Sequence, residues 1–244
     1  MIILGLLGFT LFLALIFGPQ AWIRATMRKH ASKRTDFPGT GAELARHLLD
    51  QAGLQAVKVE RIATGDHYSP MDKAVRLSAS NFDGKSVTAV AVAAHEVGHA
   101  LQHADGYGPL MLRQKLASWC IAIERVGSVL LMATPVIFML TRSPIILIAE
   151  IAAAFGIMLS TVVIHAVTLP TEFNASFKRA LPILSAYLPE HDMPAAASVL
   201  KAAAFTYVAS ALVTLLDITR WLRVLRFEGC EAMQTKRYAG QARV

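Results

Sequence analysis

The chain has 244 residues, of which 55% are hydrophobic and 17% are charged, and its formal net charge is +7. A composition this apolar is not typical of a soluble domain and favours a membrane protein. Basic and aromatic residues do not alternate on a folded module, so nucleic acid is not an expected partner. The two cysteines, Cys120 and Cys230, lie far apart, which indicates neither a disulfide framework nor a thiolate metal site.

The first segment, residues 1–23, is predicted to be a transmembrane helix. Residues 2–18 are apolar and uncharged. No basic residue precedes them and no small-residue cleavage site follows, which favours a retained helix over a signal peptide. A basic cluster comes next and predicts that this end of the helix faces the cytoplasm. Its members are Arg24, Arg28, Lys29, Lys33 and Arg34.

Residues 36–116 are predicted to form a small α+β unit at the cytoplasmic face. Local signals for caps, turns and alternating strands mark its elements. These are a helix at 39–53 capped by Thr40, strands at 57–62 and 74–78 with a turn at 65–70 between them, and a helix that begins near 83–86 and ends before Gly106.

His95, Glu96 and His99 form the pattern H-E-x-x-H within the last of these helices. Positions four apart share a helix face, so both imidazoles can bind one metal ion. Glu96 stands beside them, where it can take a proton from a water molecule that the metal activates. The helix is otherwise apolar, which favours a zinc hydrolase site over two surface histidines.

Residues 117–169 are predicted to form a transmembrane hairpin. Two long apolar runs are separated by a short segment around Arg142, so the second run returns to the cytoplasmic face. Glu150 and His165 lie within the second run, and ionisable residues inside a membrane are functional candidates.

The final third of the chain gives mixed signals. Residues 170–194 are expected to form a helix, and residues 195–218 a helix that either spans the membrane or is buried without crossing it. A span would put the basic tail, residues 219–244, outside the cell, whereas its charge favours the cytoplasm. The sequence leaves this conflict open, and it predicts a mainly α membrane protein with three to four transmembrane helices.

The third zinc ligand has several candidates, because catalytic zinc usually takes three protein ligands and keeps a fourth position for water. Glu172 is favoured, since the returning hairpin would bring it to the histidines at the head of a new helix. His103 would lie about 12 Å from His95 along a continuous helix, too far to share one ion. Asp105 lacks the helix-breaking glycine of the metzincin pattern. Geometry alone does not exclude His67.

The chain resembles the YugP-type neutral zinc metallopeptidases, which are small bacterial membrane proteins, over most of residues 38–215. The segments that carry the resemblance are G-D-H-Y-S-P at 65–70, V-R-L-S at 75–78, A-V-A-A-H-E-V-G-H-A-L-Q-H at 91–103, L-P-T-E-F-N-A-S at 169–176 and A-A-A-F-T-Y-V-A at 202–209.

That family is similar to the heat-shock and CAAX-prenyl-type membrane proteases, in which a glutamate in an E-x-x-A-D segment after a transmembrane hairpin binds zinc. The resemblance implies a gluzincin-like unit in which His95, His99 and Glu172 hold Zn²⁺. Ser176 stands in place of the aspartate of that segment, and Asn174 stands where YugP-type chains are expected to have aspartate. Both departures concern groups that orient the ligands.

The sequence therefore predicts a zinc metallopeptidase of the bacterial inner membrane with its active site facing the cytoplasm. Its expected substrates are membrane or membrane-proximal proteins or peptides, with Glu96 as general base. The substrate is expected to add a strand to residues 75–78, interpreted as an edge strand. The group that stabilises the oxyanion stays open among Tyr68, His165 and Arg179.

Two other functions remain open. An intramembrane protease of the site-2 type would need the H-E-x-x-H helix to cross the bilayer, and the apolar stretch at 87–94 is too short for that. A zinc-stabilised scaffold or chaperone without turnover would hold its ion with four protein ligands. The sequence does not predict the oligomeric state.

Overall fold

The part of the chain that the structure describes is mostly helical and carries one small sheet. The structure, a computed structural model, describes residues 2–63 and 65–215. The predicted basic tail, including Cys230, lies outside them. The helices are α1 (Ile2–Lys29), α2 (Gly41–Gln51), α3 (Ala79–Phe82), α4 (Val87–Ala104), α5 (Gly108–Thr141), α6 (Pro144–Phe173), α7 (Leu181–Leu184), α8 (Met193–Ala204) and α9 (Thr206–Leu215). The strands are β1 (Lys58–Ile62), β2 (His67–Ser69) and β3 (Ala74–Ser78), a π-helix covers Asn174–Ala180, and a short 3₁₀ helix covers Glu190–Asp192.

The chain divides into two compact units. Among the described residues, the first comprises 2–63, 65–114 and His165–Ser210, and the second comprises Lys115–Ile164 and 211–215. Every candidate zinc ligand named from the sequence belongs to the first unit. The second unit contains most of α5 and α6, which are joined by only two residues, Arg142 and Ser143.

Two helical stretches within the described ranges are long and apolar enough to cross a bilayer, judged by length and composition. They are Leu6–Lys29 and Glu190–Val213. The first helix runs further than the sequence predicts, because Pro19 is accommodated inside it and it ends at Lys29, within the basic cluster. The number of membrane spans stays a prediction.

The start of α2 is fixed by a capping box, as expected from Thr40. The Thr40 hydroxyl accepts a hydrogen bond from the Glu43 backbone N–H, and the Glu43 carboxylate accepts one from the Thr40 N–H. These two bonds satisfy helix N–H groups that have no partner within the helix. Gly53 adopts a φ of +71° just after the helix, a conformation that glycine takes readily, and it is the last residue of the range predicted for this helix.

The sheet has the order β1-β3-β2, so the prediction that residues 75–78 form an edge strand is wrong. β3 pairs in parallel with β1 and antiparallel with β2. The sequence pattern at 65–70 is typical of a turn, yet three of its residues extend and pair with β3. The short return through Lys73, at a φ of 47°, closes this hairpin. The exposed edge next to α4 therefore belongs to β2.

Helix α4 forms the centre of the first unit. Its positions from Val87 to Ala100 are all buried, and α2, α8 and the π-helix pack against it. The Ser86 hydroxyl accepts a hydrogen bond from the Ala89 N–H and caps the helix, close to the predicted start. A run of small alanine and valine side chains lets several helices approach one another closely.

Helix α6 continues past the point where the sequence predicts a break. Pro170 lies inside it, and Glu172 occupies its last turn and not the head of a new helix. The π-helix follows without interruption and passes close to α4. A Cβ added at Gly98 would lie 3.0 Å from the carbonyl oxygen of Ala175. Gly98 thus permits the approach that brings the end of α6 to the H-E-x-x-H segment.

The last apolar run is split in two at Phe205. Its first half, α8, contributes Val199 and Leu200 to the core around α4, and both residues are fully buried. The choice between a buried helix and a membrane span, which the sequence leaves open, is not decided by this packing.

Candidate metal centre

His95 and His99 project from consecutive turns of α4 into a buried space. Their side chains are only 6% and 8% exposed, and their ring centroids lie 4.7 Å apart with planes at 81°. Two imidazoles at i and i+4 on a rigid, buried helix provide paired nitrogen donors with little freedom to reorient.

Glu172 reaches the same space from the last turn of α6. One of its carboxylate oxygens, Oε2, lies 3.2 Å from His95 Nε2 and 3.4 Å from His99 Nε2, and the side chain is 2% exposed. Zinc bonds of about 2.0 to 2.1 Å in a tetrahedral arrangement separate neighbouring ligand atoms by about 3.4 Å. Both distances from Glu172 therefore fit zinc, and all three donor atoms lie within 4.8 Å of one another.

The two histidines are oriented by uncharged side chains. The Ser176 hydroxyl donates to the Leu200 carbonyl at 3.1 Å, so its oxygen accepts the hydrogen bond from His95 Nδ1 at 3.0 Å. Likewise, Gln102 Oε1 accepts from His99 Nδ1 at 2.9 Å. With both Nδ1 atoms acting as donors, the Nε2 lone pairs are free to bind a metal.

Gln102 links this arrangement to the end of α6. Its amide nitrogen donates to the Thr171 carbonyl at 2.8 Å and to Asn174 Oδ1 at 2.9 Å. Ser176 and Asn174, which replace expected aspartates, thus both contribute oxygen acceptors without adding charge. The network ties α4 to the turn that carries Glu172.

An arginine holds the other oxygen of Glu172. Arg113 Nη1 donates to Glu172 Oε1 at 3.2 Å, while its second Nη group donates to the Tyr207 hydroxyl. The Arg113 guanidinium also lies 4.9 Å from the centre of the Tyr207 ring. This clamp leaves Oε2 directed at the imidazoles. No sequence motif marks Arg113, whereas Tyr207 lies within the resembling segment at 202–209.

Burial and charge act in opposite directions on the two glutamates. Burial raises the pKa of Glu172, but hydrogen bonds from His95 and His99 in their protonated forms outweigh it and hold that pKa well below its usual value. Burial also raises the pKa of Glu96, which is 6% exposed, and here the opposing charge of the two histidines does not outweigh it. The surroundings therefore favour the ionised form of Glu172 and the protonated form of Glu96.

The other ligand candidates lie elsewhere. His67 is exposed on β2 and contacts the Gly65 carbonyl, His103 Nδ1 bonds to the Tyr68 hydroxyl at 2.8 Å, and Asp105 pairs with Arg179 at 2.7 Å. Within the described ranges, the only group of three possible metal ligands is His95, His99 and Glu172.

The oxyanion candidates differ in their surroundings. The Tyr68 hydroxyl is hydrogen-bonded to His103. Arg179 forms an ion pair with Asp105 and donates a hydrogen bond to Asn174. The ring of His165 lies 6.0 Å from that of Tyr207, next to the arginine clamp. The side chain of Glu150 lies outside the described residues.

Replacing Arg113 with methionine is expected to weaken zinc binding by about 10- to 100-fold, because Glu172 loses the partner that orients it. Competition with a chelator of known affinity measures the change. Arg76→Met is the matched control. The Arg76 side chain is 27% exposed, against 26% for that of Arg113, and it also forms ion pairs with carboxylates. Arg76 lies in the sheet, however, and not at the proposed zinc site. Equal zinc affinity in the two variants would contradict the role assigned to Arg113.

Comparisons with known proteins agree with this site. Residues 5–226 match the family described as "Putative neutral zinc metallopeptidase". The chain is 36% identical over 215 residues to the "Putative membrane protease YugP" of Bacillus subtilis (strain 168), across 87% of this chain and 92% of that protein. No solved structure is significantly similar to the chain. The resemblance inferred from the motifs is confirmed: the chain belongs to this family of zinc metallopeptidases, and its cofactor is zinc.

Proposed function

We propose that the protein is a membrane-bound endopeptidase of the gluzincin type, in which His95, His99 and Glu172 hold zinc and Glu96 is the general base. One observation carries the proposal. Three donor atoms, all within 4.8 Å of one another, converge in a buried site directly beside Glu96. A set of three protein ligands leaves a coordination position open, which is typical of catalytic and not structural zinc.

In the proposed mechanism, zinc supplies Lewis acidity, which polarises the scissile carbonyl and makes a water molecule acidic near neutral pH. Glu96 accepts a proton from the attacking water and donates it to the leaving amine. Ser176 and Gln102 hold the two imidazoles in the required tautomer. Arg113 keeps the Glu172 carboxylate aligned.

The substrate is proposed to bind in an extended form along β2. This three-residue strand is at the edge of the sheet, and its Tyr68 contacts His103 on α4, two turns beyond His95. An edge strand offers free backbone donors and acceptors to an added strand. A peptide bound there would run beside the helix that carries the site.

The proposed location is the bacterial inner membrane, with the site facing the cytoplasm. The relative's name describes a membrane protease, and α1 is long and apolar enough to anchor the chain. The basic cluster at the end of α1 favours the cytoplasmic side. The hairpin at 117–169 is proposed to add two further spans, and membrane or membrane-proximal proteins are the proposed substrates.

The proposal is tested by sequencing protein N-termini in membranes of cells that contain either the wild-type protein or the Glu96→Gln variant. A peptidase creates new N-termini in membrane proteins only when Glu96 is present. Identical sets of N-termini, together with no cleavage of peptide libraries by the purified wild-type protein, would favour a zinc-stabilised scaffold instead.

A further inference from the structure

A cavity of about 570 Å³ lies beside the first turns of α4. Its walls come from the end of α1, the loop after α1, the corner between β3 and α3, and two residues of α4, Thr88 and Val92. On a helix, spacings of four, three and four put Thr88, Val92, His95 and His99 on one face. The cavity therefore begins about one helical turn from the first proposed zinc ligand.

Asp66 provides a second link between the cavity and the site. Its side chain lines the cavity. Asp66 directly precedes β2, the strand along which the substrate is proposed to bind. Val92, which also lines the cavity, precedes Glu96 by four positions, so both residues lie on one face of α4. The cavity therefore adjoins the proposed substrate strand and the helical turn that carries Glu96.

The two carboxylates that line the cavity are already occupied. Asp66 accepts hydrogen bonds from the Ser78 N–H at 2.6 Å, the Ser78 hydroxyl at 3.0 Å and the Asn81 amide at 2.8 Å. Asp83 pairs with Arg61 at 3.2 Å. The charge of Asp83 is therefore offset by Arg61, and Asp66 is the one lining carboxylate without an ion pair among the described residues.

The cations of the cavity are largely free. Arg28, Lys33 and Lys85 line it. Among the described residues, the side chains of Arg28 and Lys33 form no ion pair or hydrogen bond, and Lys85 makes one long bond of 3.4 Å to the Pro38 carbonyl. The N-terminal end of α4 adds the positive end of its dipole. The cavity therefore favours a negatively charged occupant.

We propose that this cavity is a subsite of the peptide cleft that takes an acidic side chain, aspartate or glutamate, near the scissile bond. The inference rests on the proposed peptidase function and adds a substrate class to it. An anionic phospholipid headgroup has similar chemistry and could approach from the end of α1. The position of the cavity on the histidine face of α4 favours the peptide.

The test measures peptide binding to the zinc-loaded Glu96→Gln variant, so that it does not depend on turnover. The probes are fluorescent decapeptides of alanine and leucine, in which one glutamate, glutamine or lysine is moved through every position. At one or two positions, the glutamate peptide is expected to bind about 3- to 5-fold more tightly than its glutamine counterpart, as for a partly exposed ion pair. Lys33→Glu is expected to reverse this preference.

Lys58→Glu is the matched control, because Lys58 is an exposed lysine on β1 outside the cavity. Equal binding of glutamate and glutamine peptides at every position overturns the proposal, as does an equal effect of Lys58→Glu and Lys33→Glu. A glutamate preference that disappears in nanodiscs of phosphatidylglycerol, but persists in phosphatidylcholine, assigns the cavity to lipid headgroups and also overturns it.

If the subsite exists but the proposed peptidase function is wrong, binding and cleavage give different answers. The wild-type protein then binds glutamate peptides more tightly than glutamine peptides, with the same dependence on Lys33, but cleaves none of them. The acidic-peptide site then stands without the hydrolysis. Conversely, cleavage with no preference for acidic peptides supports the peptidase and removes the subsite.

Discussion

Glu96→Gln is expected to lower the turnover of peptide substrates by about 10²- to 10⁴-fold while zinc stays bound, because an amide cannot accept the proton of the attacking water. The substitution keeps the size of the side chain, and Glu96 is not part of the group of three possible ligands. Turnover of a cleaved library peptide and zinc content by mass spectrometry are measured on the same purified sample.

Glu60→Gln is a suitable control for this substitution, since Glu60 lies on β1 and pairs with Arg76, away from the site. It should leave both turnover and zinc content unchanged. Full activity of the Glu96→Gln variant would refute the assignment of the base. Loss of zinc from that variant would instead mean that Glu96 helps to hold the metal.

The packing of α4 bears on one alternative function, that of a protease that cuts its substrates within the bilayer. An intramembrane protease of the site-2 type needs its H-E-x-x-H helix to be a membrane span. Here α4 is an 18-residue helix that packs against α2, α8, the π-helix and a sheet. A sheet with an exposed edge beside the helix is compatible with water and not with lipid. The arrangement therefore favours a site outside the hydrocarbon region.

The elements that local signals define were predictable from the sequence. The capping box of α2, the strands β1 and β3, and the start and end of α4 each depend on residues close together in the chain. β2 was not predicted, because its three residues carry turn chemistry and become a strand only by pairing with β3. The break expected at Pro170 was also wrong, since tertiary packing overrides the preference of proline for helix ends.

The candidate site was predictable where helix geometry or a family motif applied. The pair His95 and His99 follows from a spacing of four, and Glu172 from the return of the predicted hairpin and from the resembling segment at 169–176. Arg113 could not be found in this way, because it lies 59 positions from Glu172 and belongs to no motif. Its role appears only when α5 and α6 are placed in three dimensions. Long-range contacts of this kind leave no periodic signal in a single sequence.

Glu172→Gln is expected to lower zinc affinity by more than about 100-fold, which exceeds the effect of losing an orienting partner. The neutral amide is a poor zinc donor, and it leaves the charge of Arg113 without its carboxylate. Asp192→Asn is the matched control, because Asp192 is also a buried carboxylate that pairs with an arginine, Arg34, at 3.0 Å. That control is expected to reduce thermal stability but to keep zinc.

Competition with a chelator, followed by a thermal melt of the apo and zinc-loaded forms, separates a loss of zinc affinity from a loss of thermal stability. Zinc that binds only the folded protein raises its melting temperature. This rise should be nearly absent in Glu172→Gln and preserved in Asp192→Asn. A zinc-dependent rise of wild-type size in Glu172→Gln would mean that the third ligand is another group. In that case the convergence of α6 on α4 would serve packing alone, and the site would need a different carboxylate or histidine to complete it.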